Sequence, residues 1–315
     1  MMEEQKTLTE AIRFFGNEQN CIDTIAAMRW PDGKPVCPHC NSLKHYWLTA
    51  QRRWKCAECR KQFSVKVGTT LEDSALSLDK WMIVLWMLVN CKNGISSYEI
   101  AKTVGVTQKT AWFMLQRLRL VLQDDSTSKL QGTVEVDETF IGGKARNMHG
   151  AKRRKAMDRK NKSKTIVLGF LERGGMVRTE IVENRERSTL QGKIKKHVES
   201  GSQVFTDELH SYWGLNEEYA HEVINHVYEY VKGHVHTNSL ENFWSLVKRA
   251  LGGTYVSVAP FHLFRYIDEQ AFRYNYRGTK KLPISNADRF HLALSRIAGK
   301  RLTYAQVTGQ VAGSC

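Results

Sequence analysis

The chain has 315 residues, 42% hydrophobic and 25% charged, which is long enough for two or three domains with separate cores. Its 47 Lys and Arg against 32 Asp and Glu leave a formal charge of +15, which points to a polyanionic partner, nucleic acid first. A membrane-spanning chain and a disulfide-stapled secreted domain are both disfavoured. The apolar run Trp81–Val89 is nine residues long, too short for a bilayer. Seven cysteines are an odd number, and four of them form two close pairs.

Residues 1–33 form an N-terminal helical segment, expected to run to about Arg29 before Pro31-Asp32-Gly33 breaks it. The first twenty residues are polar and acidic with no apolar centre, so no secretory signal is expected and the protein should be cytoplasmic. Residues 34–70 carry Cys37-Pro38-His39-Cys40 and, after fifteen residues, Cys56-Ala57-Glu58-Cys59. Two such knuckles supply Cys37, Cys40, Cys56 and Cys59 as a tetrahedral thiolate site for structural Zn²⁺, a zinc ribbon. Tyr46-Trp47-Leu48 and Arg53-Trp54-Lys55 are its expected hairpin strands, and Cys21, Cys91 and Cys315 remain as thiols.

Residues 71–128 are helical in pattern. Ile95–Val106 resembles the first helix and Gly-containing turn of a helix-turn-helix, with Thr107 capping a second helix from Gln108 through Arg119. On this reading Lys109, Gln116, Arg117 and Arg119 lie on polar faces, and the first three read DNA. A plain helical bundle has the same turns. Asp124–Lys129 is polar and rich in Ser and Thr, a plausible linker.

Strands follow from Gly132: Val134–Ile141, Thr165–Leu171 and Val177–Val182, then a helix near Leu190–Glu199 and a short strand ending at Asp207. That order is expected of an RNase-H-like α/β domain with a mixed sheet, over residues 129–285. The whole is a multidomain α+β chain that closes with a C-terminal tail, 286–315. Lys144–Lys164 holds ten bases against one acid, and Arg153, Arg154 and Lys155 in it are expected to grip a phosphate backbone.

Asp137, Asp207 and Glu241 are the residues with the most chemistry in them. Two strand aspartates and a carboxylate on an amphipathic helix can converge on a pair of divalent cations. Two ions roughly 3.5–4 Å apart stabilise the attacking and leaving oxygens of an in-line displacement at phosphorus. Mg²⁺ or Mn²⁺, two per site, would suit such oxygen ligands. Each acid has a plainer reading. Asp137 could be a solvent-facing strand acid like Glu135, and Glu138 on the opposite face is a weaker alternative. Asp207 could cap a helix, with Glu208 in its place as ligand. Glu241 could close a capping box with Asn238. His226, His234 and His236 could act as bases or touch DNA, whereas His210, Tyr212 and Trp213 read as packing residues. Lys248 stands two turns from Glu241 on the same side of the helix, followed by Arg249.

A family resemblance rests on Arg29–Gly33 before the first cysteine knuckle, Val136–Lys144, Thr206-Asp207, Thr237–Trp244 with Lys248-Arg249, and Phe272–Asn275. With these motifs in this order, the chain resembles bacterial insertion-sequence transposases of the zinc-ribbon, ISXO type with a DDE catalytic domain, from about Cys21 to Arg277. The resemblance implies Asp137, Asp207 and Glu241 as the metal-binding triad and Lys248 as the lysine that follows it. It also implies double-stranded DNA as partner, both as element ends and as target, and homo-oligomers on DNA in a bacterial cytoplasm. Some members of this group use asparagine as third ligand, which makes Asn238 and Asn242 rivals to Glu241. A non-catalytic DNA-binding regulator and a structure-selective nuclease are the competing functions.

Overall fold

Two cysteine knuckles and an alternating nine-residue strand seed the two halves of this chain. The computed structural model describes residues 6–143, 150, 164–224, 236–280 and 282–310. They divide into one unit of Met1–Gln123 with Tyr276–Cys315 and another of Asp124–Asn275.

The first unit begins with α1 (Leu8–Phe15) and α2 (Glu18–Arg29). One continuous helix was expected here. The break comes at Gly16-Asn17, where the Asn17 side chain accepts from the Gln19 amide and starts a new helix. The ribbon is a three-stranded antiparallel sheet of β1 (His45–Leu48), β2 (Arg53–Cys56) and β3 (Gln62–Phe63). Trp54 is its core: it stacks on Phe63 with ring centroids 5.7 Å apart and meets Trp47 and Trp30 at 4.7 and 5.3 Å.

The apolar run forms α3 (Leu78–Asn90), a buried helix as expected. Helices α4 (Ser97–Val104) and α5 (Gln108–Val121) follow. Ser96 and Glu99 make a capping box, Gly105 ends α4 at φ +61°, and Thr107 caps α5 by accepting from Thr110 N–H. The segment read as a tail contains α9 (Asn286–Ser295) and α10 (Tyr304–Val307). Helix α9 packs against α3: Phe290 meets Trp86 at 5.3 Å and Phe15 at 5.2 Å. Residues after 276 therefore supply core to the N-terminal unit.

The second unit holds a five-stranded mixed sheet. β4 (Thr133–Ile141), β5 (Thr165–Glu172) and β6 (Val177–Val182) form an antiparallel meander. After α6 (Arg187–His197), β7 (Gln203–Asp207) returns parallel to β4 on its other side, and β8 (Ala220–Ile224) adds parallel to β7. The spatial order β6-β5-β4-β7-β8 is the RNase-H-like mixed sheet expected from the sequence. Strand β8 lacked a readable alternation because it is an edge strand, exposed along most of its length.

Each face of the sheet carries its own core. Val134, Val136, Leu168 and Phe170 pack with Leu190 and Ile194 of α6. On the other face Val167, Leu171 and Val177 pack with Leu240, Phe243, Trp244 and Val247 of α7 (Asn238–Arg249) and with Leu263 and Ile267 of α8 (Leu263–Asn275).

Candidate active site and zinc centre

In the ribbon, each knuckle turns tightly and leaves through a left-handed residue, Asn41 at φ +59° and Arg60 at φ +61°. The four sulfurs converge, with Cys37 Sγ 3.7 Å from Cys59 Sγ and Cys40 Sγ 3.5 Å from Cys56 Sγ. Thiolates bound at about 2.3 Å to a tetrahedral Zn²⁺ lie about 3.8 Å apart, so the donor set fits that ion. Backbone N–H groups of Cys59 and Glu58 help hold the Cys56 thiol down at about 6, on the side of the ligating thiolate.

At the other site, β4 and β7 pair from Thr133↔Gln203 to Glu135↔Phe205. Carrying that register two residues on sets Asp137 level with Asp207. Carboxylate oxygens of Asp137, Glu138 and Asp207 lie within 4.8 Å of one another. Trp244 Nε1 of α7 donates to Asp137 Oδ2 at 3.1 Å. The Leu209 amide donates to Asp207 Oδ1 at 3.1 Å, and the buried Tyr212 hydroxyl donates to Glu138 Oε2 at 2.7 Å. Arg185 Nη1 stands 3.4 Å from Glu138 Oε1. Burial, then repulsion from Glu138 and Asp207, pushes the Asp137 carboxyl up to about 7. Burial also raises Glu138, against the pull of Tyr212. Three crowded acids with few cations among them form a donor set that suits hard divalent ions.

Glu241 stands at the first turn of α7, exposed, with Thr237 Oγ1 3.4 Å from its Oε1. Its carboxylate lies outside the group of three, although Trp244, one turn further along the helix, touches Asp137. The helix starts one residue earlier than a capping box from Asn238 requires, with Thr237 as N-cap. Glu135 does the capping instead, accepting from the Leu240 amide at 3.0 Å. Reading Glu135 as solvent-facing was wrong: it is fully buried, paired with Arg173 Nε at 2.8 Å, while Arg173 also donates to the His236 carbonyl. His236 Nδ1 lies 3.5 Å from Glu135. Asn238, Asn242, Lys248, Arg249 and Glu208 are exposed. Tyr212 is buried as expected of a packing residue, but Trp213 is 58% exposed with its ring against His210.

The helix-turn-helix region corrects the sequence reading at three positions, Gln116, Arg117 and Arg119. Lys109 is exposed, its ammonium 5.0 Å from the ring centre of Tyr304 in α10. Gln116, Arg117 and Arg119, expected on polar faces, are buried. Arg117 donates to the Glu72 carbonyl at 2.6 Å and lies over the rings of Trp81 and Phe113. Helix α5 packs against α3, α4 and α10, so the side that periodicity marks as polar is covered by other elements. Arg153, Arg154, Lys155, His226 and His234 lie outside the described residues.

A mixed sheet with acids where two of its strands part, in a chain that also carries a four-cysteine ribbon, fits the class of DDE-type transposases with a zinc ribbon. Residues 129–275 match the ISXO2-like transposase domain and residues 16–62 the transposase zinc-ribbon domain. An uncharacterized protein in transposable element ISH50 of Halobacterium salinarum is 27% identical over 258 residues, covering 76% of this chain and 85% of that protein. An uncharacterized transposase-like protein of Haemophilus influenzae is 33% identical over 100 residues, covering 31% of this chain and 80% of its own length. The chain belongs to the ISXO2-like family of insertion-sequence transposases. Among its described residues no helix is long and apolar enough to cross a membrane.

Proposed function

We propose that this transposase binds the ends of its element, cleaves DNA strands and joins the freed 3′-hydroxyls to target DNA by in-line phosphoryl transfer. The observation that carries this reading is the meeting of Asp137 and Asp207 at the open end of β4 and β7. Asp137, Asp207 and Glu241 act as the triad, binding two Mg²⁺ or Mn²⁺. Such ions supply charge for the attacking and leaving oxygens in both cleavage and joining.

The protein's own groups do the positioning. Trp244 fixes the Asp137 carboxylate, and the Leu209 amide fixes Asp207, so that neither must reorganise as charge develops. Lys248 and Arg249, exposed on α7 beyond Glu241, contact DNA phosphates. Lys109 and the basic run with Arg153, Arg154 and Lys155 add affinity through the backbone. Gln116 and Arg117, read from the sequence as base contacts, are buried and are assigned here to packing. Homo-oligomers on DNA would bring two element ends together.

The test is a strand-transfer assay with the element's own ends and Mg²⁺ or Mn²⁺. Alanine variants of Asp137, Asp207 and Glu241 should each lose cleavage and joining while still binding end DNA. Binding without any cleavage by the unmodified protein would favour a regulator, and cleavage without joining would favour a nuclease.

A further inference from the structure

Successive residues of a strand point to opposite faces, so Asp137 and Glu138 would ordinarily serve different surfaces. Here they meet because β7 pairs with β4 only from Thr133 to Glu135. Beyond Glu135, β4 keeps β5 on one side as far as Ile141, and among the described residues no strand pairs with its other side. Asp137 enters that opening from the α7 face, tied to Trp244. Glu138 enters from the α6 face, tied to Tyr212, which belongs to the core on that side. Openings at the carboxyl ends of strands, where the chain leaves to opposite faces, are where α/β sheets hold their ligands.

All three carboxylates are held by the same device. One oxygen of Asp137 accepts from an indole N–H, one of Asp207 from a backbone amide and one of Glu138 from a phenol. Each acid has a second oxygen that a cation could take, with its outer partner orienting the carboxylate. On Glu138 that second oxygen has a long 3.4 Å contact to Arg185, whose side chain is 45% exposed, whereas the Glu138 side chain is 3% exposed. An acid this buried, beside two others, is poorly compensated by one half-exposed guanidinium.

We propose that Glu138 is a metal ligand of this site, positioned by the buried phenol of Tyr212, so that two adjacent residues of β4 hold the divalent ions together with Asp207. The inference rests on the metal-dependent reading above and adds a ligand from the far face of the sheet. Glu138 is then the ligand, and Tyr212 a positioning residue that acts through it.

Mn²⁺ titrated into the full-length, zinc-loaded protein and followed by electron paramagnetic resonance measures affinity without any turnover. Glu138→Gln should weaken Mn²⁺ binding tenfold or more, and Tyr212→Phe by about tenfold, the scale of a lost outer partner. Melting without Mn²⁺ should be little changed in both. If Glu138→Gln binds Mn²⁺ like the unmodified protein while Asp137→Asn does not, the Glu138 assignment is overturned and the metal reading stands. A lower melting temperature with unchanged Mn²⁺ affinity would make Glu138 a structural partner of Arg185, which also overturns it. If the unmodified protein binds no Mn²⁺, both fall. Should Glu138→Gln fail to fold, Tyr212→Phe decides alone, and undiminished affinity there counts against the proposal.

Discussion

The indole N–H of Trp244 reaches the Asp137 carboxylate at 3.1 Å, and Gly169, the residue paired with Asp137 on β5, is what lets it. A Cβ at position 169 would sit 2.5 Å from Trp244 Cζ2 and 3.0 Å from Leu240 Cδ1. Helix α7 lies on the strand at this point with no room for a methyl group. Gly169→Ala should therefore cost about 1–3 kcal/mol by overpacking and displace Trp244 from Asp137. Denaturant unfolding gives the first quantity and the indole N–H resonance of Trp244 the second. A variant with unchanged stability and an unshifted resonance would show that the helix can yield.

Glu135 ties the start of α7 to β4 from inside the protein. It accepts from the Leu240 amide and pairs with Arg173, with its side chain fully excluded from solvent. Removing one partner of a buried pair typically costs about 3–5 kcal/mol, because the remaining charge has no water to turn to. Arg173→Ala should destabilise the catalytic unit on that scale. The Leu240 amide should also lose hydrogen-exchange protection ahead of the strand amides, since the cap loosens first. Uniform loss across α7 and the sheet would argue against a local cap.

Metal analysis of protein purified without chelator should give stoichiometric Zn²⁺, and Cys56→Ser should lose it. Structural zinc contributes apparent binding energies of about 10–16 kcal/mol. Loss of the ion should therefore open the β1–β3 ribbon to proteolysis while the sheet of the second unit stays resistant. Zinc-free protein with an intact ribbon would contradict this.

Lys109 and Arg117 lie two turns apart on α5 in opposite surroundings. Arg117→Ala should lower thermal stability by about 1–3 kcal/mol through lost packing and a lost hydrogen bond to the Glu72 carbonyl. Preference for element ends over random DNA should not change. Lys109→Ala should leave stability nearly intact and weaken DNA binding, with a shallower salt dependence. Gel-shift titrations at several salt concentrations, beside melting curves, separate the two.

Glu180 on β6 faces two lysines and a histidine of α6: Lys193, which pairs with it most closely, Lys196 at 3.3 Å and His197, whose Nε2 lies 2.7 Å away. Burial works against the carboxylate, yet Lys193 and His197 hold it down at about 2. A carboxyl lowered on folding stabilises above its ordinary value and loses that contribution as pH falls through about 2. Melting temperatures of the unmodified protein and Glu180→Gln should differ above pH 4.5 and converge near pH 2. The gap should be small, because Lys193 and Lys196 are partly in solvent. A constant gap over that range would mean the pair does not titrate with folding.

What the sequence by itself determined was local. The cysteine spacing specified the ribbon, because a CxxC turn places two sulfurs on one ion whatever surrounds it. Gly105 and Thr107 marked the turn between α4 and α5 through backbone geometry and capping. The alternation of Val134–Ile141 and the run ending at Asp207 identified the two central strands, and their parallel pairing brought Asp137 and Asp207 level. Burial and convergence were decided by the tertiary structure. Periodicity put Gln116 and Arg117 on a polar face, but it cannot see that α3 and α10 cover that side of α5. Alternation likewise gave Glu135 to solvent and separated Glu138 from Asp137. Helix α7 lies over the first, and the parting of β4 from β7 undoes the second. Residues 286–295 carry little local sign of a core role, because their partners on α1 and α3 are some two hundred residues or more away in sequence. Side-chain direction within an element follows from its period, but the partner each side chain finds depends on which distant segments pack there.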